Sequence, residues 1–243
     1  MEIIAESGTI FVIMAVIFGL YMTWGIGAND VANAMGTSVG SGAITVKQAI
    51  IIAAIFEFAG AFIAGGTVTK TIRKGIIDPT SITGQPELLV YGMLAALLAA
   101  AIWLMVASTR GWPVSTTHSI VGAIVGFAVA GIGMDAVQWG KIGQIVASWL
   151  VSPLLGGVIA LVLMLSIRKL ILNADNPFAQ AKKWGPFYVF LVGFIVSLVT
   201  MFKGLKHLKL EFTMTESIIA AVVFGIICGI VGRMMINKVK VDE

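Results

Sequence analysis

Cysteine occurs once in 243 residues, histidine twice, and charged residues make up only 12% of the chain. Each scarcity excludes something. Cys228 sits alone inside an apolar run and can close no internal bridge, so a disulfide-stapled secreted scaffold is ruled out. Soluble domains carry about 25% charged residues, and a chain with half that fraction cannot cover its apolar surface in water. There is no nucleotide-binding loop, no zinc-ligand spacing and no Cys/His pair. The basic residues form no dense stripe or groove-reading motif, which leaves nucleic acid out as a partner. The chain also begins acidic, with Glu2 and Glu6, whereas a signal peptide needs a positive leader. The first apolar run, Thr9 to about Gly27, therefore reads as a retained membrane span.

What is abundant is apolar surface and glycine: 58% hydrophobic residues and 28 glycines, with a mean hydropathy of +1.01. At roughly 20 apolar residues per crossing, the chain suits about six to eight spans and leaves no room for a sizeable soluble domain. The expected fold is an all-α polytopic membrane protein, one transmembrane domain over residues 1–243 with about seven membrane segments, some broken or re-entrant. The formal charge of +4 reads as topology, because Lys and Arg flank spans. A seven-crossing model with the N-terminus outside places nine of the 16 basic residues in the cytoplasm, a small excess that gives only a lean in orientation.

Along the chain, residues 28–46 (ANDVANAMGTSVGSGAITV) are small, polar and Gly-rich, a poor lipid-facing helix that should face protein or a watery cavity. Spans are expected at Lys47 to about Thr69, Leu88 to Ala107, Lys141 to Leu165, Gly185 to Phe202 and Ser217 to Ile236. Pro153 should kink the longest of them. Loops are expected over Thr69 to Glu87 and over the basic stretch Arg168 to Lys183. The second unusual region, residues 108–134, breaks at Pro113 and continues as the short apolar run His118 to Met134, which could span thinly or return as half of a hairpin. Small-xxx-small pairs at Gly36/Gly40, Gly122/Gly126 and Gly225/Gly229 would let helices approach closely; for the last, generic helix packing is the better reading.

Polar groups inside apolar segments are expensive in a bilayer and so mark candidate sites. Asn29, Asp30 and Asn33 fall within an arc of roughly 100° on a helix. A carboxylate and two amides on one face could ligate a hard cation such as Na⁺, accept a proton from an oxyanion, or form an interhelical hydrogen-bond cluster. Ser115, Thr116, Thr117, His118 and Ser119 stand at the start of a helical run. Hydroxyls there either cap the helix or join its backbone N–H groups as an anion site. His118 could relay protons or position the anion, although a lone His beside a cap is more often structural. Glu57 falls mid-span, where a carboxylate must be protonated, paired or cation-bound. Lys203, Lys206, His207 and Lys209 form a basic patch that reads as flanking charge. Ser115, His118 and Asp30 could be drawn as a hydrolase triad, but those residue types are too common for composition alone to support an enzyme.

The segment GANDVANAMGTSVGSGAIT, Gly27 to Thr45, closely resembles the signature of the inorganic phosphate transporter (PiT) family of sodium- or proton-coupled symporters. The resemblance continues, in the family's order, through IFEFAGAFIAG (Ile55 to Gly65), TIRKGIID (Thr71 to Asp78) and PVSTTHSIVGAIVGF (Pro113 to Phe127). It implies a transporter of two inverted repeats, each supplying one Asn/Asp motif and one Ser/Thr-Thr-His motif to a central site. This chain holds one copy of each, so it is expected to be the first half, with the second repeat absent and supplied by another chain or segment. A dual-topology homodimer is a less favoured assembly.

The resulting expectation is a plasma-membrane symporter that imports inorganic phosphate with Na⁺ as coupling ion and no other cofactor. Phosphate would be bound by Asp30, Ser115, Thr116 and Thr117. Sodium would be held by Asn29, Asp30 and Asn33, with backbone carbonyls of the irregular Gly-rich stretch, and Glu57 would serve a second cation or the gate. Proton coupling and a sulfate permease are the near alternatives; an intramembrane hydrolase and a passive anion channel are the distant ones.

Overall fold

The computed structural model of the chain describes residues 2–82, 86–205 and 212–239. Three members of the basic patch, Lys206, His207 and Lys209, lie outside the described residues, as do the side chains of Lys203, Arg73 and Lys74. Seven α-helices account for most of the rest: α1 (Glu2–Gly40), α2 (Val46–Gly75), α3 (Pro86–Thr109), α4 (Thr116–Gly131), α5 (Trp139–Ile167), α6 (Pro177–Val199) and α7 (Met214–Asn237). Among the described residues six helical segments are long and apolar enough to cross a membrane; α4, with 16 residues, is not. At about 1.5 Å per residue α4 reaches roughly 24 Å, short of a hydrocarbon core of about 30 Å. The expected polytopic all-α architecture, with one short segment among seven, is what the chain adopts.

The Gly-rich segment departs from expectation. Residues 28–40 are not irregular but continue α1 without interruption to Gly40. Each interior glycine weakens a helix by about 1 kcal/mol relative to alanine in water, yet where no water can satisfy the backbone, helix is the conformation that pairs every N–H and C=O internally. The helix ends where a left-handed residue becomes available: Gly42 has φ 76°, the Gly42 amide bonds the Val39 carbonyl at 3.0 Å and the Ala43 amide bonds that of Ser38 at 3.1 Å. Two residues later Thr45 and Gln48 form a capping box that starts α2.

The chain forms two compact units. The first comprises Met1–Ala59 and Val68–Gly143. Here α1 packs on α3 and α3 on α4, around Met22, Ala100, Ala101 and Leu104. Gly25 lets the two backbones close, since a Cβ there would stand 3.1 Å from that of Leu104. Gly92 of α3 leaves the space that the ring of Phe127 on α4 fills. The loop expected over Thr69 to Glu87 is shorter than that, because α2 runs to Gly75. Beyond it, Ile77 pairs with Val137 in an isolated antiparallel bridge, with the Asp78 amide on the Ala136 carbonyl and the Gln138 amide on that of Ile76, both at 2.9 Å.

The second unit comprises Gly60–Thr67 and Gln144–Glu243. Pro153 lies inside one continuous α5. The basic loop after it is also shorter than expected: a π-helical turn, Arg168–Leu172, extends α5, and α6 begins at Pro177 behind an Asn176 cap, so Lys182 and Lys183 stand in its second turn. Helices α6 and α7 pack on each other through glycines. A Cβ at Gly225 would meet the Phe190 ring at 3.0 Å, and one at Gly229 the Pro186 carbonyl at 3.2 Å. The pair therefore serves close helix packing, whereas Gly36, Gly40, Gly122 and Gly126 have open space around them.

Candidate functional site

The break at Pro113 is two helix caps placed back to back. Helix α3 ends as Gly111 turns left-handed (φ 67°) and the Trp112 amide returns to the Ala107 carbonyl at 2.8 Å. Four residues on, Ser115 takes an extended conformation and its hydroxyl accepts from the His118 amide at 3.3 Å, which starts α4. Ser119 closes the turn by donating its hydroxyl to the Ser115 carbonyl at 2.8 Å. The first amides of α4 have no preceding carbonyl within the helix to bond, and they carry its partial positive charge.

Helix α1 brings its Asn/Asp cluster to this start. Thr116 donates its hydroxyl to the Asp30 carboxylate, with Oγ1 2.7 Å from Oδ2 and 2.9 Å from Oδ1. One residue earlier, Asn29 is 5% exposed. Its Nδ2 donates to the Trp112 carbonyl at 2.9 Å, and its Oδ1 accepts from the Val114 amide at 3.2 Å. Asn33, one turn along and exposed, donates its Nδ2 to the same Oδ1 at 3.2 Å. The two motifs singled out in the sequence are thus one constellation, joined across more than 80 positions.

The other candidates stand differently. Ser115, Thr117 and His118 are exposed at the α4 start beside the Asp30–Thr116 pair. Glu57 lies on α2 with an exposed side chain, and among the described residues no ion pair or hydrogen bond is seen joining it to the cluster. Of the backbone carbonyls of residues 28–40, expected as cation ligands, those of residues 28–36 belong to a regular helix and are occupied by its own amides, while those of Thr37, Ser38 and Val39 accept from amides of the turn that follows. Sequence reasoning missed the part played by Trp112 and Val114, since they contribute backbone atoms and their side chains give no signal. Trp112 carries the Arg110 guanidinium 5.1 Å from its ring centroid and lies beside Trp103.

Chemically, the arrangement offers a carboxylate, a hydroxyl that can both donate and accept, exposed hydroxyls, and a helix N-terminus. Such a set suits an oxyanion that carries its own proton, because that O–H can donate a hydrogen bond to the carboxylate while the remaining oxygens face hydroxyls and amides. Among the described residues no group of three or more His, Cys, Asp or Glu could hold a metal ion by those side chains alone.

Comparison with known proteins agrees with this chemistry. A model described as the phosphate transporter family matches residues 26–241. A protein of Haemophilus influenzae named "Putative phosphate permease" is 49% identical over 227 residues, covering 93% of this chain and 54% of that protein. The Arabidopsis thaliana "Inorganic phosphate transporter 2-1, chloroplastic" is 44% identical over 209 residues, covering 86% of this chain and 36% of that protein. A solved structure titled "The sodium-dependent phosphate transporter" superposes with a TM-score of 0.85 at 39% identity, over 96% of this chain and 56% of that one. The chain spans about half the length of the curated relatives it matches.

Proposed function

The chain belongs to the phosphate transporter family, and on that premise we propose that it forms one half of a secondary transporter that imports inorganic phosphate together with Na⁺. The family and the matched relatives are phosphate transporters and permeases, which are not enzymes. The protein is a multi-pass integral membrane protein, and the plasma membrane is the membrane proposed. Inorganic phosphate, Na⁺, the lipid bilayer and a second half, on another chain or segment, are its proposed partners.

The observation that carries this reading is the Thr116–Asp30 contact at the N-terminus of α4. Phosphate oxygens would be received by the hydroxyls of Ser115, Thr116 and Thr117 and by the first amides of α4. The phosphate's own O–H would donate to Asp30. A carboxylate facing an anion needs compensation: two unit charges about 4 Å apart at an effective dielectric near 20 interact by about 4 kcal/mol. A Na⁺ held by Asp30 and Asn33 offsets that repulsion, worth about a thousandfold in affinity. Each ligand then improves the other's binding by the same factor, which is the physical basis of coupling. Glu57 would serve a second cation or the gate once the other half covers α2.

Proton coupling is the second reading, favoured by the exposed His118 beside the Asp30–Thr116 pair. Uptake assays in proteoliposomes that hold this half with its partner half test both. Replacing external Na⁺ by choline should abolish concentrative phosphate uptake; uptake that persists in choline and follows a pH gradient establishes proton coupling instead. Flux that never concentrates phosphate and does not saturate would identify a channel, and sulfate competing as well as phosphate would identify a broader oxyanion permease.

A further inference from the structure

Asn29 occupies the most buried position in the cluster, and its hydrogen bonds describe a job other than holding a cation. We propose that Asn29 is a positioning residue that clamps the Trp112–Val114 loop to α1, and so fixes where the N-terminus of α4 presents Thr116 to Asp30; the proposal rests on the phosphate-transport reading for its functional consequence. The amide reads the loop as a neighbouring extended strand would. It donates to the carbonyl of Trp112 at 2.9 Å and accepts from the amide of Val114 at 3.2 Å. Its Oδ1 also accepts from Asn33 at 3.2 Å. A side-chain carbonyl has two lone pairs, and both are taken, which leaves none directed at a cation.

Adjacent residues of α1 thereby divide the work. Asn29 holds the loop at 112 and 114, and Asp30 receives Thr116 two residues further on. The loop lies between the last turn of α3 and the first of α4, and Pro113 has no amide of its own to contribute. Without the clamp, the Val114 amide and the Trp112 carbonyl lose partners where the Asn29 side chain now excludes water, and the start of α4 is free to move from Asp30. The requirement is for an amide in particular. Aspartate matches asparagine in size but cannot donate to the Trp112 carbonyl, and it would put a second negative charge beside Asp30.

The discriminating experiment uses the transporter with both halves present, in the unmodified form and with Asn29→Asp, Asn29→Ala and Asn33→Ala. Kinetically, a clamp predicts that Asn29→Ala and Asn29→Asp each raise the phosphate KM or lower the maximal rate at least tenfold, with the Na⁺ concentration for half-maximal uptake by Asn29→Ala within twofold of the unmodified value. Asn33→Ala, which leaves both loop contacts in place but removes a proposed Na⁺ ligand, should show the opposite pattern: a Na⁺ concentration for half-maximal uptake raised at least fivefold, with hydrogen exchange at residues 112–119 unchanged. A direct Na⁺ ligand predicts the reverse for Asn29: a large rise in the Na⁺ requirement with alanine, restored by aspartate, and that result would overturn the proposal. Amide hydrogen exchange supplies a readout that needs no transport. Residues 112–119 should exchange at least tenfold faster in the Asn29 variants, while α6 and α7 exchange as before. Should Asn29→Ala fail to assemble, the nearly equal-sized Asn29→Asp carries the same comparison, and unchanged exchange at 112–119 in it contradicts the clamp. Absence of phosphate uptake in the unmodified protein would refute the transport reading while the exchange data still decide the clamp.

Discussion

Thr116 donates its hydroxyl to both carboxylate oxygens of Asp30, at 2.7 and 2.9 Å, across 86 positions of sequence. The contact joins the last third of the long helix α1 to the first residue of the short helix α4. It places a negative charge where the partial positive charge of α4 is concentrated, and it leaves a hydroxyl able to turn toward an incoming oxyanion.

Asp30→Asn should reduce Na⁺-driven phosphate uptake at least tenfold, because the amide keeps the shape but loses the charge that recruits Na⁺ and the full acceptor capacity for the phosphate O–H. Thr116→Val should have a comparable effect, whereas Thr116→Ser, which retains the hydroxyl, should stay within about threefold. Initial rates in proteoliposomes at saturating Na⁺ measure all three. Uptake indifferent to both Asp30→Asn and Thr116→Val would remove the pair from the site.

Selectivity should reside in the same carboxylate. Hydrogen phosphate has a proton to donate, while sulfate at neutral pH has none and would leave two anions face to face with Asp30. Unlabelled sulfate is therefore expected to compete at least a hundredfold less well than unlabelled phosphate, and Asp30→Asn should narrow that gap by at least tenfold. An unchanged ratio in the variant would assign selectivity elsewhere.

Packing of α4 on α3 depends on Gly92. A methyl group there would fall on the Phe127 ring, so Gly92→Ala should destabilise the protein by about 1–3 kcal/mol through overpacking. Pairing it with Phe127→Leu should recover part of the loss, since the two substitutions share one contact. Thermal unfolding of the four proteins in detergent gives the coupling; strictly additive effects would mean the ring moves aside freely.

Helix α7 starts at a capping box in which the Thr213 hydroxyl accepts from the Glu216 amide and the Glu216 carboxylate accepts from the Thr213 amide. Thr213→Ala should weaken this start by about 1 kcal/mol. The expected sign is faster hydrogen exchange over residues 214–217 with the rest of α7 unaffected, and protection that stays unaltered would show the cap to be dispensable.

Much of this architecture was legible in the sequence because the bilayer enforces it. Long apolar runs have few alternatives to helix, and a short run such as that of α4 announces itself by its length. The pairing of Asn29, Asp30 and Asn33 on one face followed from helical periodicity, and the capping role of Ser115 from its place after Pro113. The same constraint explains the clearest misreading: the glycines of residues 28–40 argued for irregular chain, but the environment that makes glycine helices poor in water removes the alternative. The loop boundaries at Gly75 and Pro177 were missed because lysine and arginine are good enough helix formers to extend a span beyond its apolar part. Nothing in the sequence indicated that Asn29 would bind backbone atoms of Trp112 and Val114, because those atoms are common to every residue and only the fold brings them near.

The most direct test of the account is cryo-electron microscopy of this half with its partner half in saturating Na⁺ and phosphate. A phosphate-sized density is expected at the N-terminus of α4, within hydrogen-bonding distance of the Thr116 hydroxyl and the Asp30 carboxylate. Phosphate density elsewhere, with the Thr116–Asp30 contact intact and its surroundings unoccupied, would contradict it.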